Sequence, residues 1–419
     1  MASFSPLHLR RRWQAQMPFR NAMYPFLVLY IAINIVWIAY DTTITANEHH
    51  RPKRETIQVT ESSPLTPFCS SGTDYVGFRR AFPIWTKPFP CGPLESDRAM
   101  QQQRRPATEG LLYVRELEAS TVEFSSITAR LARRMGQKQQ QIASIADQTN
   151  ATANVCTTRL LSQRGIRYRE RIPEKSFLWS VVREPVSRLV SKYYHFGHLH
   201  GLHGTALKTT DAKFRSFLIN NLGQDYGYYF KSLGVNYRID PQLKKHEADT
   251  REILESYDFL GVSERMDETL AVLKIILNLE INDVLYLSIP KATTRENVDY
   301  YDMFGKDNCR AVLKPEVPLE LKEWFYSEDF EALIEADVMF YKAVNASLDK
   351  TIDELGRDLV EATVKQIQQA QKVAQKECSH VRFPCSSEGV LQEDTDCLFG
   401  NIGCGYKCLD QLDGKLLPS

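Results

Sequence analysis

The stretch from Ser176 to Phe196 constrains the fold more than any other part of the chain. Residues 177–182 are apolar and favour β-structure, and Pro185 suits the first turn of a helix. Apolar residues then recur at helical spacing, at Val186, Leu189, Val190 and Tyr193. The sequence therefore predicts a buried strand that turns directly into a helix, with Arg183 at the carboxyl end of the strand.

An arginine at such a corner is well placed to bind an anion. The free N–H groups and the dipole of a helix amino terminus attract phosphate. Ser191 lies about two turns along the helix, and Arg188 is expected to face the same crevice. The alternative interpretation is an ordinary helix start, at which both arginines are solvated.

Two segments resemble a known family. Arg183-Glu-Pro-x-x-Arg188-x-x-Ser191-x-Tyr193-Tyr194 resembles the 3′-phosphate-binding motif of membrane-bound carbohydrate sulfotransferases, with Glu184 in place of the more usual Asp. Residues 257–277, followed by residues 283–287, are similar to the strand, acidic turn and helix that follow the cofactor site in galactose 3-O-sulfotransferase and related enzymes. The resemblance covers roughly residues 110–287.

The resemblance implies a fold, a reaction and a co-substrate. The expected fold is an α/β domain with a parallel sheet flanked by helices, of the P-loop nucleotide-kinase-like sulfotransferase type. The expected reaction transfers a sulfuryl group from 3′-phosphoadenosine-5′-phosphosulfate (PAPS) to a glycan hydroxyl without a metal. By this resemblance Arg183 and Ser191 would hold the 3′-phosphate. Arg188 is expected to take part in cofactor binding from the same crevice, and Arg265, which follows a predicted strand end, is expected to contact the adenosine or the acceptor. The alternative for residues 264–268 is a helix start, where acidic residues are favoured.

The first loop departs from the family pattern. The family has a Lys-x-x-Lys-x-x-x-Ser-Thr sequence after its first strand, and the catalytic Lys position falls here at Glu118. Ser120 and Thr121 are expected to hold the 5′-phosphosulfate with loop N–H groups, and Arg115 to supply the missing positive charge. The alternative is a binding protein that has lost catalysis but keeps the 3′-phosphate half of the site.

Histidines follow the predicted helix and are candidates for the general base. An imidazole suits removal of a proton from a sugar hydroxyl near neutral pH. His195 and His198 are the preferred candidates, with His200 and His203 close behind. A metal site formed by these four residues and plain exposure in a loop are the alternatives.

The amino-terminal part predicts a membrane anchor. Residues 22–40 are almost entirely apolar and would span ~28 Å as a helix, close to one hydrocarbon thickness. Arginines precede the segment, so the positive-inside rule predicts a cytoplasmic tail at residues 1–21. Residues 41–107 are expected to form a stem, and the rest to lie in the lumen of the Golgi. A cleaved signal peptide is the alternative.

The cysteines agree with a secretory compartment. Nine cysteines are present, and an oxidising lumen favours disulfides. A zinc knuckle is the alternative for the carboxyl-terminal tail, and the pairing cannot be derived from spacing. Asn150 and Asn345 begin glycosylation triplets. The crowded tail cysteines are Cys378, Cys385, Cys397, Cys404 and Cys408.

Strand and helix patterns alternate through the middle of the chain. Strands are expected at Gly110–Val114, near Phe177, near Phe259 and at Val284–Leu287, which predicts a parallel sheet covered on both faces. Ligands of such sheets bind at the carboxyl ends of the strands. A helix is expected from Ser125 to Met135, and one long amphipathic helix from Leu348 to Lys376. These patterns place a catalytic domain at residues 108–347, followed by the helix and the Cys-rich tail at 348–419.

Composition and missing motifs exclude several functions. The formal net charge is zero, which argues against a nucleic-acid partner. The expected partners are a glycan acceptor and a membrane bound through one helix, and the oligomeric state stays open. A lumenal glycosyltransferase would need an Asp-x-Asp site after a core strand, whereas Asp394-Thr-Asp396 lies in the tail. The phosphate-binding motif of P-loop kinases is absent.

Overall fold

The computed structural model describes residues 75–91, 108–116, 118–119, 121–146, 164–196, 213–218, 226–236, 245–304, 308–315 and 317–412. The chain divides into two units, Met1–Pro64 and Leu65–Ser419. Every described residue belongs to the second unit.

A three-stranded parallel sheet lies at the centre of the described residues. Its strands are β1 (Gly110–Val114), β2 (Ser176–Val182) and β3 (Phe259–Val262), in the order β1-β2-β3. Every residue of the three strands is buried. Continuous apolar runs of this kind are typical of parallel strands covered on both faces. The predicted mixed α/β domain with a parallel sheet flanked by helices is confirmed.

Helices follow the strands and cover the sheet. They are α1 (Thr121–Ala146), α2 (Pro185–Phe196), α3 (Tyr228–Leu233), α4 (His246–Ser256), α5 (Met266–Ile276), α6 (Leu319–Phe325), α7 (Glu328–Leu355), α8 (Arg357–Glu377) and α9 (Tyr406–Asp410). Residues 213–218 are also helical. Short 3-10 turns occupy Gly165–Tyr168, Ser263–Arg265 and Ile281–Val284. An antiparallel hairpin is formed by β4 (Val298–Phe304) and β5 (Asn308–Leu313).

Helices flank the sheet. Phe124 of α1 packs edge-on against Trp179, with ring centroids 6.1 Å apart. The Ser232 hydroxyl of α3 donates to the Glu116 carboxylate, just beyond the end of β1. Helix α1 therefore packs on the sheet itself, and α3 contacts the chain where it leaves β1.

The predicted fourth strand at Val284–Leu287 is wrong. Val284 ends a 3-10 turn, and the following residues belong to no strand. Side chains satisfy the backbone here: Arg130 Nη1 donates to the Leu285 carbonyl over 2.7 Å, and Gln371 Nε2 donates to the Tyr286 carbonyl over 2.6 Å. Since α1 and α8 already bond this segment, it does not pair with the sheet.

Two predicted helices have different bounds. Helix α1 begins at Thr121 and continues to Ala146, beyond the expected end at Met135. The single helix predicted from Leu348 to Lys376 is two helices, α7 and α8, separated at Gly356. Gly356 has a φ of 96°, a backbone conformation that favours glycine, and its N–H group bonds the carbonyl of Ile352. The apolar pattern continues across the break, and so the sequence alone did not reveal it.

Part of the predicted stem packs against the domain. Phe82 is buried, and its N–H group donates to Thr351 Oγ1 of α7 over 2.9 Å. Trp85 donates its backbone N–H to the Ile276 carbonyl at the end of α5 and packs edge-on against Phe177. Residues 75–91 therefore contribute to the core instead of acting as a free spacer.

The tail cysteines form disulfides. Cys309 pairs with Cys385, Cys378 with Cys408, and Cys397 with Cys404. The described residues contain no group of three or more potential metal-ligating side chains. These pairs agree with the disulfides predicted for the tail. Because a cysteine in a disulfide cannot bind zinc as a thiolate, the structure argues against the zinc knuckle.

Two further expectations concern the membrane and glycosylation. Within the described residues no helix is long and apolar enough to cross a membrane, and the predicted span at residues 22–40 lies outside them. Asn345 is buried within α7, and its Oδ1 accepts from Arg265 Nη1 over 2.7 Å. The expected glycosylation at Asn345 is therefore wrong, because a folded helix conceals the amide. Asn150 lies outside the described residues.

We predict that Arg130→Ala destabilises the domain strongly. The Arg130 side chain is buried, bonds Leu285 and Asn282 Oδ1, and lies 3.4 Å from Asp410. Removing a buried charge and leaving its partners unsatisfied should cost about 3 kcal/mol of the free energy of unfolding. Guanidinium unfolding followed by tryptophan fluorescence measures this loss.

Arg133→Ala is the matched control, since Arg133 also pairs with Asp410, at 3.5 Å, but is 37 % exposed. An exposed pair of this kind contributes up to about 1 kcal/mol. Equal losses in the two variants would contradict the prediction.

Candidate functional site

The amino terminus of α2 is capped by the protein itself. Glu184 occupies the N-cap position, and its carboxylate accepts from the backbone N–H groups of Val186, over 3.1 Å, and Ser187, over 2.7 Å. Pro185, at the first helical position, has no N–H group to satisfy. The N–H groups expected to attract phosphate are thus already bonded to Glu184, and any anion at this corner has to be held by side chains.

Arg183 is fixed through its backbone. The Tyr229 hydroxyl accepts from the Arg183 N–H group over 2.9 Å and donates to the Arg183 carbonyl. The guanidinium is thereby directed across the carboxyl edge of the sheet, where Nη1 donates to the Glu118 carbonyl over 2.8 Å. The Glu264 carboxylate lies 3.9 Å from Arg183 Nε and accepts from the backbone N–H group of Glu184.

Ser191 converges on the same residue as Arg183. Its hydroxyl donates to Glu118 Oε2 over 2.7 Å. Glu118 follows β1 and has a φ of 65°, a left-handed backbone conformation that is uncommon for a residue other than glycine. We call this group of residues the edge site; it consists of Glu118, Arg183, Ser191 and Glu264. A guanidinium and a hydroxyl donor thus converge on one residue, at the carboxyl ends of the parallel strands: Arg183 bonds the Glu118 carbonyl and Ser191 bonds the Glu118 carboxylate.

His195 lies one helical turn beyond Ser191. Residues four apart in a helix are neighbours on one face, so the imidazole and the Ser191 hydroxyl share a side of α2. His195 Nε2 lies 3.6 Å from Asp302 Oδ2 on strand β4. Asp302 also accepts from Asn401 Nδ2. A carboxylate held in this way can orient an imidazole for proton transfer.

The surroundings of the edge site are rich in acidic groups. Burial raises the pKa of the Tyr300 hydroxyl, and the charge of Glu118 raises it further, which places β4 close to Glu118. Burial also raises the pKa of the Glu123 carboxyl, while the charges of Arg183 and Lys291 oppose this shift. Burial raises the pKa of Glu264 as well. Arg183 is therefore a cation among several carboxyl groups.

Arg188 is buried in the interior and does not face the expected crevice at the carboxyl ends of the strands. Its side chain is 1 % exposed, and its guanidinium stacks over the Tyr228 ring at 3.9 Å. The expected role of Arg188 in the 3′-phosphate site is corrected accordingly: the apolar residues of α2 face inward, and Arg188 is buried with them. Its charge acts instead on the buried Glu116.

Glu116 and Asp337 complete a buried cluster around Arg188. The Asp337 carboxylate accepts from the backbone N–H groups of Tyr228 and Tyr229. Glu116 accepts from the Ser232 hydroxyl over 2.9 Å. Burial raises the pKa of the Glu116 carboxyl to about 8, against the opposing charge of Arg188. Glu116 is therefore largely neutral at pH 7, which leaves Asp337 to balance the buried arginine.

The Arg265 guanidinium bonds side chains that do not belong to the edge site. Its Nη1 bonds Asn345 Oδ1 over 2.7 Å and Asp349 over 2.8 Å, and its Nε lies 2.5 Å from Glu268. These contacts join α5 to α7, so the structure favours a structural role over the expected contact with adenosine or acceptor. Asp267 and Glu268 lie in the first turn of α5, as the alternative interpretation predicted.

The remaining predicted residues are only partly accounted for. Arg115 follows β1 and is half-buried, and its Nε has no hydrogen-bond partner among the described residues. Ser120 and His198 lie outside the described residues, and of Thr121 only the main chain is described, where it begins α1. The structure brings together Arg183 and Ser191, with His195 one turn away, but not Arg188 or Arg265.

Sequence reasoning missed several residues of this region. Tyr229 belongs to an aromatic run that predicts only core packing, and nothing in its pattern marks its bond to Arg183. Asp302 lies more than a hundred residues from His195. Glu116 stands next to the predicted Arg115, but its burial depends on α3. These contacts are formed by segments distant in the chain and carry no local signal.

A groove of about 470 Å³ lies in the Cys-rich tail. Its lining includes His380, Arg382, Asp394, Asp396 and Lys407, and none of the predicted site residues. Asp396 pairs with Lys407 over 3.1 Å. The Asp394-Thr-Asp396 triplet follows no strand of the parallel sheet, which is unlike the metal site expected of a glycosyltransferase.

No protein-family model, curated protein or solved structure matches this chain significantly. Its function has to be argued from the geometry of the edge site and from the motifs that form it.

We predict that Glu116 makes the stability of the domain depend on pH. Its folded pKa of about 8 lies above the value of 4.5 for a free carboxyl. The stabilisation from the protonated carboxyl is therefore complete below about pH 4.5 and is lost as the pH rises through about 8. The free energy of unfolding should therefore fall between about pH 4.5 and about pH 8, by up to ~1.4 kcal/mol per pH unit, and should level off above pH 8.

Glu116→Gln, which mimics the neutral carboxyl, should remove this fall. Denaturant unfolding between about pH 5 and about pH 9 compares the two proteins, a range that covers the fall between the two pKa values and its levelling above the raised one. Glu174→Gln, at an exposed position, serves as the control and should keep the pH dependence of the unmodified chain. A parallel fall in Glu116→Gln and the unmodified chain would contradict the prediction.

Proposed function

We propose that this protein is a sulfotransferase that transfers a sulfuryl group from PAPS to a glycan hydroxyl. The observation that carries the proposal is the convergence of Arg183 and Ser191 on one residue, Glu118, through its backbone carbonyl and its carboxylate. Both residues belong to the motif that resembles the 3′-phosphate-binding segment of carbohydrate sulfotransferases, and their donor atoms meet at Glu118. A guanidinium and a hydroxyl whose donor groups converge on one acceptor residue are groups of the kind that bind a phosphate monoester.

The order of elements supports the same proposal. Strand β1 leads into the loop of Glu118 and then α1, and β2 leads into α2, which carries Ser191 and His195. Nucleotide ligands of parallel α/β sheets bind where such strands end. In this arrangement Arg183 and Ser191 hold the 3′-phosphate, and the loop after β1, with Arg115, Ser120 and Thr121, receives the 5′-phosphosulfate. These assignments correspond to a nucleotide-kinase-like topology.

His195 is the proposed general base. It lies on the Ser191 side of α2, and Asp302 lies within 3.6 Å of its Nε2. The imidazole would take the proton of the acceptor hydroxyl as the hydroxyl oxygen bonds the sulfur and the bond from sulfur to the phosphate oxygen breaks. Arg115, whose Nε lacks a partner among the described residues, is the proposed cation for the departing phosphate. His198 is the second proposed base.

The proposed location is the Golgi membrane, in a type II orientation. The three disulfides of the described tail support an oxidising compartment. The apolar segment at residues 22–40 is the proposed anchor, and the glycan acceptor is the proposed partner.

A second candidate function is nucleotide binding without catalysis. Glu118 favours it, because a carboxylate at the family's lysine position cannot neutralise a departing phosphate. Incubation of the full-length chain with radiolabelled PAPS and a panel of glycans separates the two candidates: incorporated label supports the enzyme, and nucleotide binding without incorporation supports the binding protein.

We predict that adenosine 3′,5′-bisphosphate binds through Arg183 and Ser191. Calorimetry on the full-length chain should show Arg183→Ala weakening the affinity by about 30- to 100-fold, as expected for the loss of hydrogen bonds to a charged group. Ser191→Ala should weaken it by about tenfold, and Ser191→Thr, which keeps the hydroxyl, should retain most of it.

Arg167→Ala is the matched control, because Arg167 is exposed and lies outside the motif, in the 3-10 turn Gly165–Tyr168. Adenosine 5′-phosphate, which lacks the 3′-phosphate, should bind all variants equally weakly. An affinity for the bisphosphate that is unchanged in Arg183→Ala would remove Arg183 from the site.

We predict that His195→Gln lowers kcat without weakening nucleotide binding. Loss of a general base should reduce kcat by ~10²- to 10⁴-fold, while the affinity for adenosine 3′,5′-bisphosphate stays the same. Asp302→Asn should reduce kcat less and alter the pH profile, because it acts through His195. Equal kcat in His195→Gln and the unmodified enzyme would transfer the role of base to another residue, with His198 the next to test.

A further inference from the structure

Glu118 already satisfies both donors that are proposed to hold the 3′-phosphate. Its carboxylate accepts from the Ser191 hydroxyl over 2.7 Å, and its carbonyl accepts from Arg183 Nη1 over 2.8 Å. The contacts thus come from two different groups of one residue. Glu118 is attached to the end of β1, directly beside the proposed nucleotide site.

This position is not the one that Glu118 would adopt by local preference. A φ of 65° costs a residue with a side chain roughly 1–2 kcal/mol relative to the ordinary regions of backbone space. Ala119, the next residue, is buried and anchors the loop. The bonds to Ser191 and Arg183 offset this cost, so they help to hold Glu118 where it lies.

The charges nearby make simultaneous binding of Glu118 and a phosphate unfavourable. Glu123 lies within the influence of Arg183, and the Glu264 carboxylate is 3.9 Å from Arg183 Nε. A phosphate would add two negative charges to a site that has Arg183 as its nearest cation. Like charges at such short range repel strongly in a partly buried site.

We infer that Glu118 is an internal competitor of the nucleotide's 3′-phosphate, an inference that rests on the proposed function. In the free protein the Glu118 carboxylate accepts a hydrogen bond from the Ser191 hydroxyl. The nucleotide binds when this carboxylate moves away from Ser191. The apparent affinity is reduced by the fraction of molecules in which Glu118 is displaced. This competition lowers the apparent affinity by the same factor for every anion that needs the Ser191 hydroxyl.

Only the side chain of Glu118 has to move. It is half-buried, and rotation about its own bonds releases Ser191 while the backbone bond to Arg183 Nη1 is kept. Arg183 retains further donors for the phosphate, because a guanidinium has five N–H groups. The displaced carboxylate then lies beside the 5′ end of the nucleotide, where the family has a lysine.

Glu118→Gln tests the competition because it removes the charge and keeps the shape. Calorimetry of the full-length chain with adenosine 3′,5′-bisphosphate should give an affinity about tenfold tighter for Glu118→Gln than for the unmodified chain. Glu109→Gln is the matched control: Glu109 lies just before the other end of β1 and pairs with Lys175 over 3.1 Å. Its affinity should equal that of the unmodified chain.

A double-mutant comparison isolates the contact. Ser191→Ala should cost more affinity in the Glu118→Gln background than in the unmodified chain, because in the unmodified chain the Ser191 hydroxyl must first be released from Glu118. Inorganic phosphate, added as a simpler probe, should raise the melting temperature of Glu118→Gln more than that of Glu109→Gln.

The outcomes separate this inference from the proposed function. Equal affinities of the unmodified chain and Glu118→Gln would overturn the competition and leave the proposed nucleotide site standing. Binding in Glu118→Gln but not in the unmodified chain would support the competition and overturn the proposal of an active enzyme. Absence of binding in both, with both folded by circular dichroism, would overturn both.

Discussion

The architecture of the edge site depends on the Glu184 carboxylate, which satisfies the first free N–H groups of α2. A helix that begins at a buried strand end cannot leave these groups without partners, since each unsatisfied buried donor costs roughly 1–3 kcal/mol. With Glu184 as the cap, the helix terminus is closed to an external anion. The side chains that converge at this corner are Arg183 and Ser191, which approach Glu118 from the end of β2 and from the second turn of α2.

A cluster of buried ionisable side chains positions the residues next to the edge site. Arg188 is stacked on Tyr228 beneath the crevice, with the neutral Glu116 and the Asp337 carboxylate around it. Because Asp337 also accepts from the N–H groups that begin α3, the same cluster positions Tyr229, and Tyr229 in turn fixes the Arg183 backbone. The backbone of Arg183 is thus fixed by a chain of contacts that begins in the interior, and its half-buried guanidinium is held at the strand end by the Glu118 carbonyl.

Local patterns in the sequence predicted the elements that carry the edge site. The unbroken apolar runs of β1 and β2 and the proline at the start of α2 were sufficient, because strand burial and helix initiation depend on neighbouring residues. The predictions that differ from the structure needed information from distant segments. The apolar residues at Val284–Leu287 resemble a strand, but Arg130 and Gln371 bond their backbone. The pattern from Leu348 to Lys376 continues across Gly356, where backbone conformation alone divides the helix.

The sequence by itself determined that a parallel α/β sheet would form, that an arginine would lie at the end of its second strand and that a serine would lie about two turns along the next helix, because periodicity and proline placement act over a few residues. Only the tertiary structure decided that Arg188 would be buried, that Glu184 would close the helix terminus and that Glu118 would accept from Ser191. The physical reason is that the partner of a charged group is chosen by proximity and burial in the folded chain. Neither quantity exists until strands and helices that are far apart in sequence have packed together.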